Sequence, residues 1–302
     1  MPFGPCRLCE RPSELKLSHV LPAFTYRWLR ESSGNGFFRA SDEPNKRIQD
    51  GLKFHWLCGD CEELFSRNET AFAGRLFHPY LAASGKIFSY SSWLIHFCTS
   101  VSWRVLRFYR DENHLQSWDP DARLRVDKAE IVWRELLLGK RIHPGVFQQH
   151  LLPLDRISQT TGDLEPNINR YLMRAIQLDI CRGSQSIFTY AKLGRFIILG
   201  FIHEPNLGQW KGTKVHATDG YVEPRRFVLP RAFGDYLNEK ASKMHLALAS
   251  MSDRQSEKVE QEFRKNIDRY IGSDAFVAMQ ADVEMFGDKA FNKRTDGSKN
   301  DS

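Results

Sequence analysis

The chain has 302 residues, of which 41% are hydrophobic and 26% are charged, and its formal net charge is +6. Such a composition can bury a core, which excludes a disordered or fibrous protein. No run of about 18 apolar residues predicts a membrane-spanning helix, and the first residues lack the pattern of a signal peptide. We therefore expect no membrane association.

Four of the six cysteines form two C-x-x-C pairs, Cys6 with Cys9 and Cys58 with Cys61, and a long stretch of chain separates the pairs. The two-residue spacing lets both thiolates of a pair bind one ion, and four thiolates complete a tetrahedral Zn²⁺ site. The pairs therefore predict a structural zinc ion. The alternative is a pair of redox motifs or free thiols.

A predicted element follows each pair. Residues 15–22 alternate like a short strand, which carries His19 just before Pro22. After the second pair, apolar residues recur as on one face of a helix, so Cys61 is expected near the N-terminus of that helix. The apolar residues are Leu64, Phe65, Phe72 and Leu76.

Three further helices are predicted over residues 86–112, 125–140 and 167–182, because their apolar residues recur close to the helical period. The apolar stripe of the first consists of Trp93, Phe97, Val101 and Val105. Cys98 and Cys181 lie within such stripes, and we expect both to be buried thiols of the core.

The pattern then changes to the alternation typical of strands. The predicted strands are 186–191, 195–203, 211–218 and 221–228. The first two meet at Leu193-Gly194, and the last two form a hairpin around Asp219-Gly220. Pro224 limits the last strand to a sheet edge. The result is a small antiparallel sheet at about residues 186–228.

Helices return over residues 231–250 and 254–272. The sequence as a whole predicts an α+β protein, in which a zinc-binding module over 1–80 precedes a mainly helical region with a small antiparallel sheet over 81–290. The polar residues 291–302 are expected to form a disordered tail.

Most of the positive charge lies outside the predicted zinc-binding module. Residues 1–80 hold 11 Lys or Arg and 10 Asp or Glu, whereas residues 81–240 hold 22 basic and 16 acidic residues. Arg104, Arg107 and Arg110 fall on one inclined helical stripe, where they can contact successive phosphates. Lys46 and Arg47 form a shorter basic pair. The alternative for these residues is a solvated, charged surface.

The order of these motifs resembles a known family. A C-x-x-C pair, a strand that ends in His19, and a second C-x-x-C pair that opens a helix look like the four-cysteine zinc branch of the HNH (His-Me finger) endonucleases. The resemblance covers about Cys6–Tyr80. It implies a treble-clef (ββα-metal) module and an endonuclease or nickase that hydrolyses DNA. It also implies a bacterial or phage cytoplasmic setting, such as phage defence or a mobile element.

In this family the strand histidine is the general base for the attacking water, and a divalent ion stabilises the transition state. The resemblance therefore implies that His19 is the base and that Glu62 is a ligand of a catalytic Mg²⁺ or Mn²⁺ ion, with Glu69 two turns along the helix as a further candidate. The residue before the base is usually an acidic residue or a histidine that binds this ion. Here it is Ser18, which departs from the pattern.

The middle asparagine of the motif orients the histidine from the loop between the two pairs. Asn45 is the preferred candidate, with Asn35 and His55 as alternatives. The alternative function is a catalytically inactive treble clef that binds DNA or joins a larger complex, as a homo-oligomer or with a partner protein. No Walker-type loop, G-x-S-x-G elbow or Rossmann fingerprint is found, which disfavours those enzyme classes.

Overall fold

The computed structural model describes residues 2–33, 36–40, 43–160, 162–223 and 227–291. In these ranges the protein combines α-helices with small antiparallel sheets, which confirms the mixture of helices and strands that the sequence predicts. Asn35, Pro224 and the predicted tail beyond residue 291 lie outside the described residues. None of the helices formed by the described residues has the length and apolar character that crossing a membrane requires.

The secondary-structure elements are numbered in chain order. The strands are β1 (Phe3–Pro5), β2 (Pro12–Glu14), β3 (Lys16–His19), β4 (Lys53–Leu57), β5 (Phe88–Tyr90), β6 (Gln149–Pro153), β7 (Ile176–Arg182), β8 (Ile187–Leu193), β9 (Phe196–His203) and β10 (Gly220–Val222). The helices are α1 (Ala23–Glu31), α2 (Gly59–Phe72), α3 (His78–Ala82), α4 (Trp93–Asp111), α5 (Pro120–Leu137), α6 (Ile168–Arg174), α7 (Arg231–Ala249), α8 (Asp253–Lys265), α9 (Ile267–Ile271) and α10 (Asp274–Phe286). A π-helical segment over Ala73–Phe77 joins α2 to α3.

The chain forms two compact units, each built from separate stretches of sequence. The first consists of residues 1–27, 50–155 and 176–230, and the second of residues 28–49, 156–175 and those after 230. The predicted domains 1–80 and 81–290 are delimited by sequence motifs. The two units are defined by contacts between residues, and their boundaries fall at other positions.

In the first unit, a short hairpin at the amino terminus is followed by a pair of strands that are distant in the sequence, and then by a helix. Strands β1 and β2 pair antiparallel, and so do β3 and β4. In the second pair His19 lies opposite Lys53, and Ser18 lies opposite Phe54. Helix α2 begins directly after β4, with Cys58 in extended conformation at its N-cap position. The predicted strand with His19 and the predicted helix after the second cysteine pair are both confirmed.

The largest sheet of the first unit has the strand order β6-β9-β8-β7 and is antiparallel throughout. Strands β8 and β9 confirm the first predicted strand pair, and Gly194 turns between them with a φ of 59°. The left-handed region at this φ favours glycine.

Two predictions about these elements are wrong. Only the first part of residues 167–182 is helical, since Ile176–Arg182 pairs along its whole length with β8. Ile176, Leu178 and Ile180 recur every second residue, which is the strand period. Cys181 therefore lies half-buried in a strand, whereas Cys98 is a fully buried helical thiol as predicted.

The hairpin around Asp219-Gly220 does not form as predicted, because among the described residues only Lys211 and Val228 pair in its register, as an isolated antiparallel bridge. Strand β10 pairs instead with β5, which occupies the start of the predicted helix over 86–112. Gly220 lies opposite Tyr90, and a Cβ at Gly220 would collide with the Tyr90 ring and hydroxyl group. The pairing of β10 with β5 thus depends on a close approach between segments that are distant in the sequence. The residues of a local turn do not predict such an approach.

Helices α4 and α5 share one core with the cysteine-rich residues. Helix α5 begins after Asp119, whose carboxylate accepts a hydrogen bond from the Ala122 N–H at 2.9 Å. Trp103 of α4 and Trp133 of α5 are fully buried in the cluster that also contains Phe65 of α2. This core continues past residue 80, because helix α2 packs directly on α4 and Phe54 of β4 contacts Phe108 of α4.

The second unit contains α6 to α10 and confirms the two helices predicted after residue 230. The buried carboxylate of Asp282 on α10 accepts hydrogen bonds from the backbone N–H groups of Asn169 and Arg170, at 2.7 and 3.1 Å. The Arg170 guanidinium contacts the same carboxylate at 2.9 Å. These bonds satisfy the N-terminus of α6, whose amides have no partners within the helix.

A glycine in β9 supplies a test of this packing. A Cβ at Gly200 would lie 2.6 Å from Ser102 Oγ and 2.7 Å from Thr189 Oγ1, so Gly200→Ala is expected to lower the free energy of unfolding by about 1–3 kcal/mol. Gly74→Ala is the matched control, because no atom lies within 4 Å of its added Cβ. It is expected to be neutral or stabilising by up to about 1 kcal/mol. Urea unfolding measures both changes, and equal effects would contradict the packing of β9 against α4.

Candidate functional site

The four cysteines of the C-x-x-C pairs meet in one cluster. Their sulfur atoms all lie within 4.8 Å of one another. Cys6 and Cys9 lie in the turn between β1 and β2, and Cys58 and Cys61 lie at the start of α2. The Sγ atoms of Cys9 and Cys58 are 3.8 Å apart, which is about the edge of a tetrahedron with metal–sulfur bonds of ~2.3 Å. The donor set therefore fits a tetrahedral metal ion such as zinc.

The surroundings of the cluster suit negatively charged sulfur. The Cys58 backbone N–H donates to Cys6 Sγ at 3.4 Å, and Arg11 Nε donates to Cys9 Sγ at 3.5 Å. Hydrogen bonding from the Cys61 thiol lowers the pKa of Cys6, whereas this bond raises the pKa of Cys61 and burial raises that of Cys58. Arg11 also pairs with Asp60 at 2.8 Å. A site of four thiolates and one divalent ion carries a net charge of −2, which the guanidinium of Arg11 partly balances.

His19 lies at the end of β3 and is hydrogen-bonded to a carboxylate. Its Nε2 is 2.8 Å from Oδ1 of Asp50, and its ring stacks on buried Tyr26 with centroids 6.3 Å apart. The His19 side chain is 20% exposed, so solvent reaches the ring. Lys53 pairs with the other oxygen of Asp50. Sequence reasoning assigned His19 a role but missed Asp50, Tyr26 and Lys53.

The carboxyl group of Asp50 stays ionised at neutral pH. Desolvation raises its pKa, but hydrogen bonds from Lys53, His19 and the Gly51 N–H outweigh this effect and hold the pKa at about 2. Because a carboxylate only accepts hydrogen bonds, the proton of the neutral imidazole lies on Nε2. The basic nitrogen of His19 is then Nδ1, which forms no hydrogen bond within the described part of the chain.

Glu62 faces Ser18 across the contact between α2 and β3. The buried Ser18 hydroxyl donates to Oε2 of Glu62 at 2.5 Å. Position 18 thus lies beside Glu62. The residue at that position is a neutral hydroxyl, and the partner of His19 is Asp50.

Glu69 is paired with a buried arginine. The Arg104 side chain is 4% exposed, and its Nη2 lies 2.7 Å from Oε1 of Glu69. Its Nη1 donates to the carbonyl oxygen of His19 at 3.0 Å. The prediction that Arg104 contacts phosphate is therefore wrong, because its guanidinium is buried and joins β3 to α2.

The other two arginines of the α4 stripe are also held by acids. Arg107 contacts Glu130 at 3.0 Å and Asp111 at 2.6 Å, and Arg110 contacts Asp127 and, at 2.5 Å, Glu130. The side chains of Arg107 and Arg110 are 16% and 33% exposed. Their charges are balanced within the protein by acids of α4 and α5, so the predicted stripe is not a free basic surface.

Asn45, Lys46 and Arg47 lie in the second unit, whereas His55 lies in β4 of the first. The Asn45 side-chain oxygen accepts from the Ser252 N–H at 2.8 Å. Lys46 pairs with Glu43 and Arg47 with Glu262, each at 2.9 Å. The residue that the structure pairs with His19 is Asp50, and Asn45 serves a different contact.

The predicted ligands of a catalytic Mg²⁺ or Mn²⁺ ion do not form a group with further ligands. Among the residues that the structure describes, only the four cysteines bring three or more His, Cys, Asp or Glu side chains close enough to hold a metal ion. The carboxylates of Glu62 and Glu69 are instead engaged by Ser18 and Arg104. These donors do not fit a preformed site for a second ion.

Comparisons of the chain with protein-family models, with curated proteins and with solved structures found no match. The resemblance to HNH endonucleases is therefore carried by the motifs within the range 1–80.

Proposed function

We propose that the amino-terminal part of the first unit is a zinc-bound treble clef of the HNH type and that it hydrolyses phosphodiester bonds of DNA, as an endonuclease or nickase. The order of its elements supports this proposal. A turn with two cysteines is followed by the β3–β4 strand pair and by α2, whose start carries the other two cysteines. Zinc, when bound, would join the turn to the helix as a structural ion.

The hydrogen bond between His19 and Asp50 is the observation that carries the proposal. A histidine whose Nε2–H donates to a carboxylate has a fixed tautomer and a basic Nδ1, as a general base requires. His19 is also partly open to solvent at the end of β3, where the HNH motif has its base.

In the proposed reaction, Nδ1 of His19 takes a proton from water. The water oxygen forms a bond to phosphorus, the bond from phosphorus to the leaving sugar oxygen breaks, and this oxygen takes a proton from solvent. Asp50 stabilises the imidazolium that forms. Glu62 and Glu69 have no part in this step, because both carboxylates are engaged elsewhere.

Nicking of supercoiled plasmid DNA tests this function. His19→Ala is expected to lower the nicking rate by about 10²–10⁴-fold, which is the usual contribution of a general base. Asp50→Asn keeps the shape of the side chain but removes its charge, and it is expected to lower the rate by at least about 10-fold. His143→Ala, which removes an exposed histidine of the same unit, is the control and should retain the wild-type rate.

A second function is favoured by the engaged carboxylates. If the zinc-bound module only binds DNA or a partner protein, Glu62 and Glu69 are structural residues that hold α2 against β3 and α4. The wild type would then bind DNA in a gel-shift assay without cutting it under any metal condition. Equal nicking by the wild type and His19→Ala would likewise contradict the proposed enzyme.

A further inference from the structure

We infer that the His19 site takes its phosphodiester without a resident divalent cation and that Lys53 supplies the positive charge that contacts the phosphate. This inference rests on the proposed hydrolysis of DNA. It concerns the groups that surround His19 in the first unit, and it departs from the metal dependence that the HNH resemblance implies.

The ion pair between Arg104 and Glu69 disfavours a cation at the Glu69 carboxylate. The guanidinium is almost completely buried and lies 2.7 Å from the carboxylate. A cation bound by Glu69 would have to displace this guanidinium or lie beside it, and both arrangements are unfavourable in a buried environment. Since Arg104 also holds the His19 carbonyl oxygen, it cannot leave without disturbing the end of β3.

The contact between Ser18 and Glu62 leaves too few ligands for a divalent cation. A hard cation such as Mg²⁺ or Mn²⁺ prefers several oxygen ligands, with at least one or two carboxylates. Position 18 offers a hydroxyl group that is 1% exposed and donates its proton to Glu62. Glu62 is thus left as a single carboxylate with one lone pair already in use.

The position of Lys53 allows its ammonium to contact the phosphate. It lies directly opposite His19 in the β3–β4 pair, and facing residues of antiparallel strands have Cβ atoms about 4.5–5.5 Å apart. Its ammonium pairs with Asp50 and its side chain is 31% exposed. An ammonium has three N–H donors, so one can hold Asp50 while another meets a nonbridging phosphate oxygen.

The chemistry balances without a metal ion. The water proton moves to Nδ1 of His19, the water oxygen bonds to phosphorus, and the bond to the leaving sugar oxygen breaks. The leaving oxygen takes its proton from solvent. Lys53 stays protonated and stabilises the negative charge that develops on the phosphate oxygens.

Direct ion binding gives a test that does not depend on activity. The zinc-loaded wild type is titrated with Mn²⁺ and the free ion is followed by electron paramagnetic resonance. We expect no bound Mn²⁺ in the micromolar range. Ser18→Asp places a second carboxylate beside Glu62 and is expected to bind Mn²⁺ measurably tighter than the wild type. Should this variant not fold, the wild-type titration alone decides, and micromolar binding by the wild type overturns the inference.

The activity test uses supercoiled plasmid in buffer with a chelator, and the zinc content is measured after the reaction. Nicking is expected to persist at the rate seen with added Mg²⁺. Lys53→Met is expected to lower the rate by about 100-fold, as for the loss of one donor to the transition state, and Lys53→Arg to restore most of it. Lys243→Met, which removes an ion-paired surface lysine of the second unit, is the control and retains the rate.

The outcomes separate the inference from the proposed function. Nicking that needs Mg²⁺ or Mn²⁺ in a protein that has kept its zinc overturns the inference and leaves the nuclease intact. Unchanged nicking by Lys53→Met overturns the role of Lys53. No nicking by the wild type under any metal condition overturns the proposed function and this inference with it.

Discussion

A Cys61→Ser variant is expected to lose the metal ion of the cysteine cluster and to unfold far more easily than the wild type. Four-ligand zinc sites bind with an apparent free energy of about 10–16 kcal/mol, which becomes folding free energy when the unfolded chain has no site. Losing the ion removes this contribution, which is comparable to the whole ~5–15 kcal/mol free energy of unfolding typical of a folded protein.

The position of Cys61 in the core explains why the effect should spread beyond α2. Cys6, Cys58 and Cys61 are buried in the same cluster as Trp103 and Trp133. A loosened cysteine cluster therefore exposes two tryptophans to water, and the fluorescence maximum should shift to the red at lower urea concentrations than in the wild type.

Cys181→Ser is the matched control for this experiment. It makes the same chemical change at a half-buried thiol of β7, outside the cluster. Elemental analysis should find one metal ion per chain in this variant and none in Cys61→Ser. A Cys61→Ser protein with wild-type metal content and wild-type unfolding would show that the four sulfurs do not hold a structural ion.

The cysteine cluster, the strand with His19 and helix α2 could be predicted from sequence for a physical reason. The C-x-x-C spacing is a local constraint, because two residues are enough to aim both sulfurs at one ion. His19 before Pro22 and the apolar face of α2 are local patterns too. These local patterns predict the structure correctly because packing in the folded protein stabilises the same strand and helix.

The groups around His19 could not be predicted in the same way. Asp50 follows a loop that the sequence identifies only as polar, and it reaches His19 because β3 and β4 pair with His19 opposite Lys53. The register of two strands that are distant in the sequence is a tertiary property. Asn45 has the side chain that the motif suggests, but the chain places it elsewhere.

The prediction that the arginines of α4 contact phosphates failed because the spacing of residues along a helix does not show whether their side chains are exposed. Arg104, Arg107 and Arg110 recur as expected, yet each meets acids of α2, α4 or α5. A sequence signal did exist, since Asp127 and Glu130 stand one turn apart on the neighbouring helix α5. Which faces of α4 and α5 meet depends on their packing.

Arg104→Met is expected to give the second large loss of stability. The substitution removes an ion pair with Glu69, a hydrogen bond to the His19 carbonyl oxygen and a cation–π contact with Phe65 at 5.3 Å. Breaking a buried pair by removing one partner costs about 3–5 kcal/mol, because the other charge is left without compensation. Urea unfolding should show a loss of this size in Arg104→Met. Arg125→Met, which breaks an exposed pair with Asp121, should lose at most about 1 kcal/mol.

The double variant Arg104→Met with Glu69→Gln separates the ion pair from the other contacts of Arg104. If the unpaired carboxylate causes most of the loss, removing its charge should restore about 1–2 kcal/mol, and the two substitutions will not be additive. Additive effects would mean that Glu69 is not held by Arg104 in solution, and its carboxylate would then be free to bind a cation beside His19. The same cycle therefore tests, without a substrate, the ion pair that keeps the Glu69 carboxylate from binding a cation.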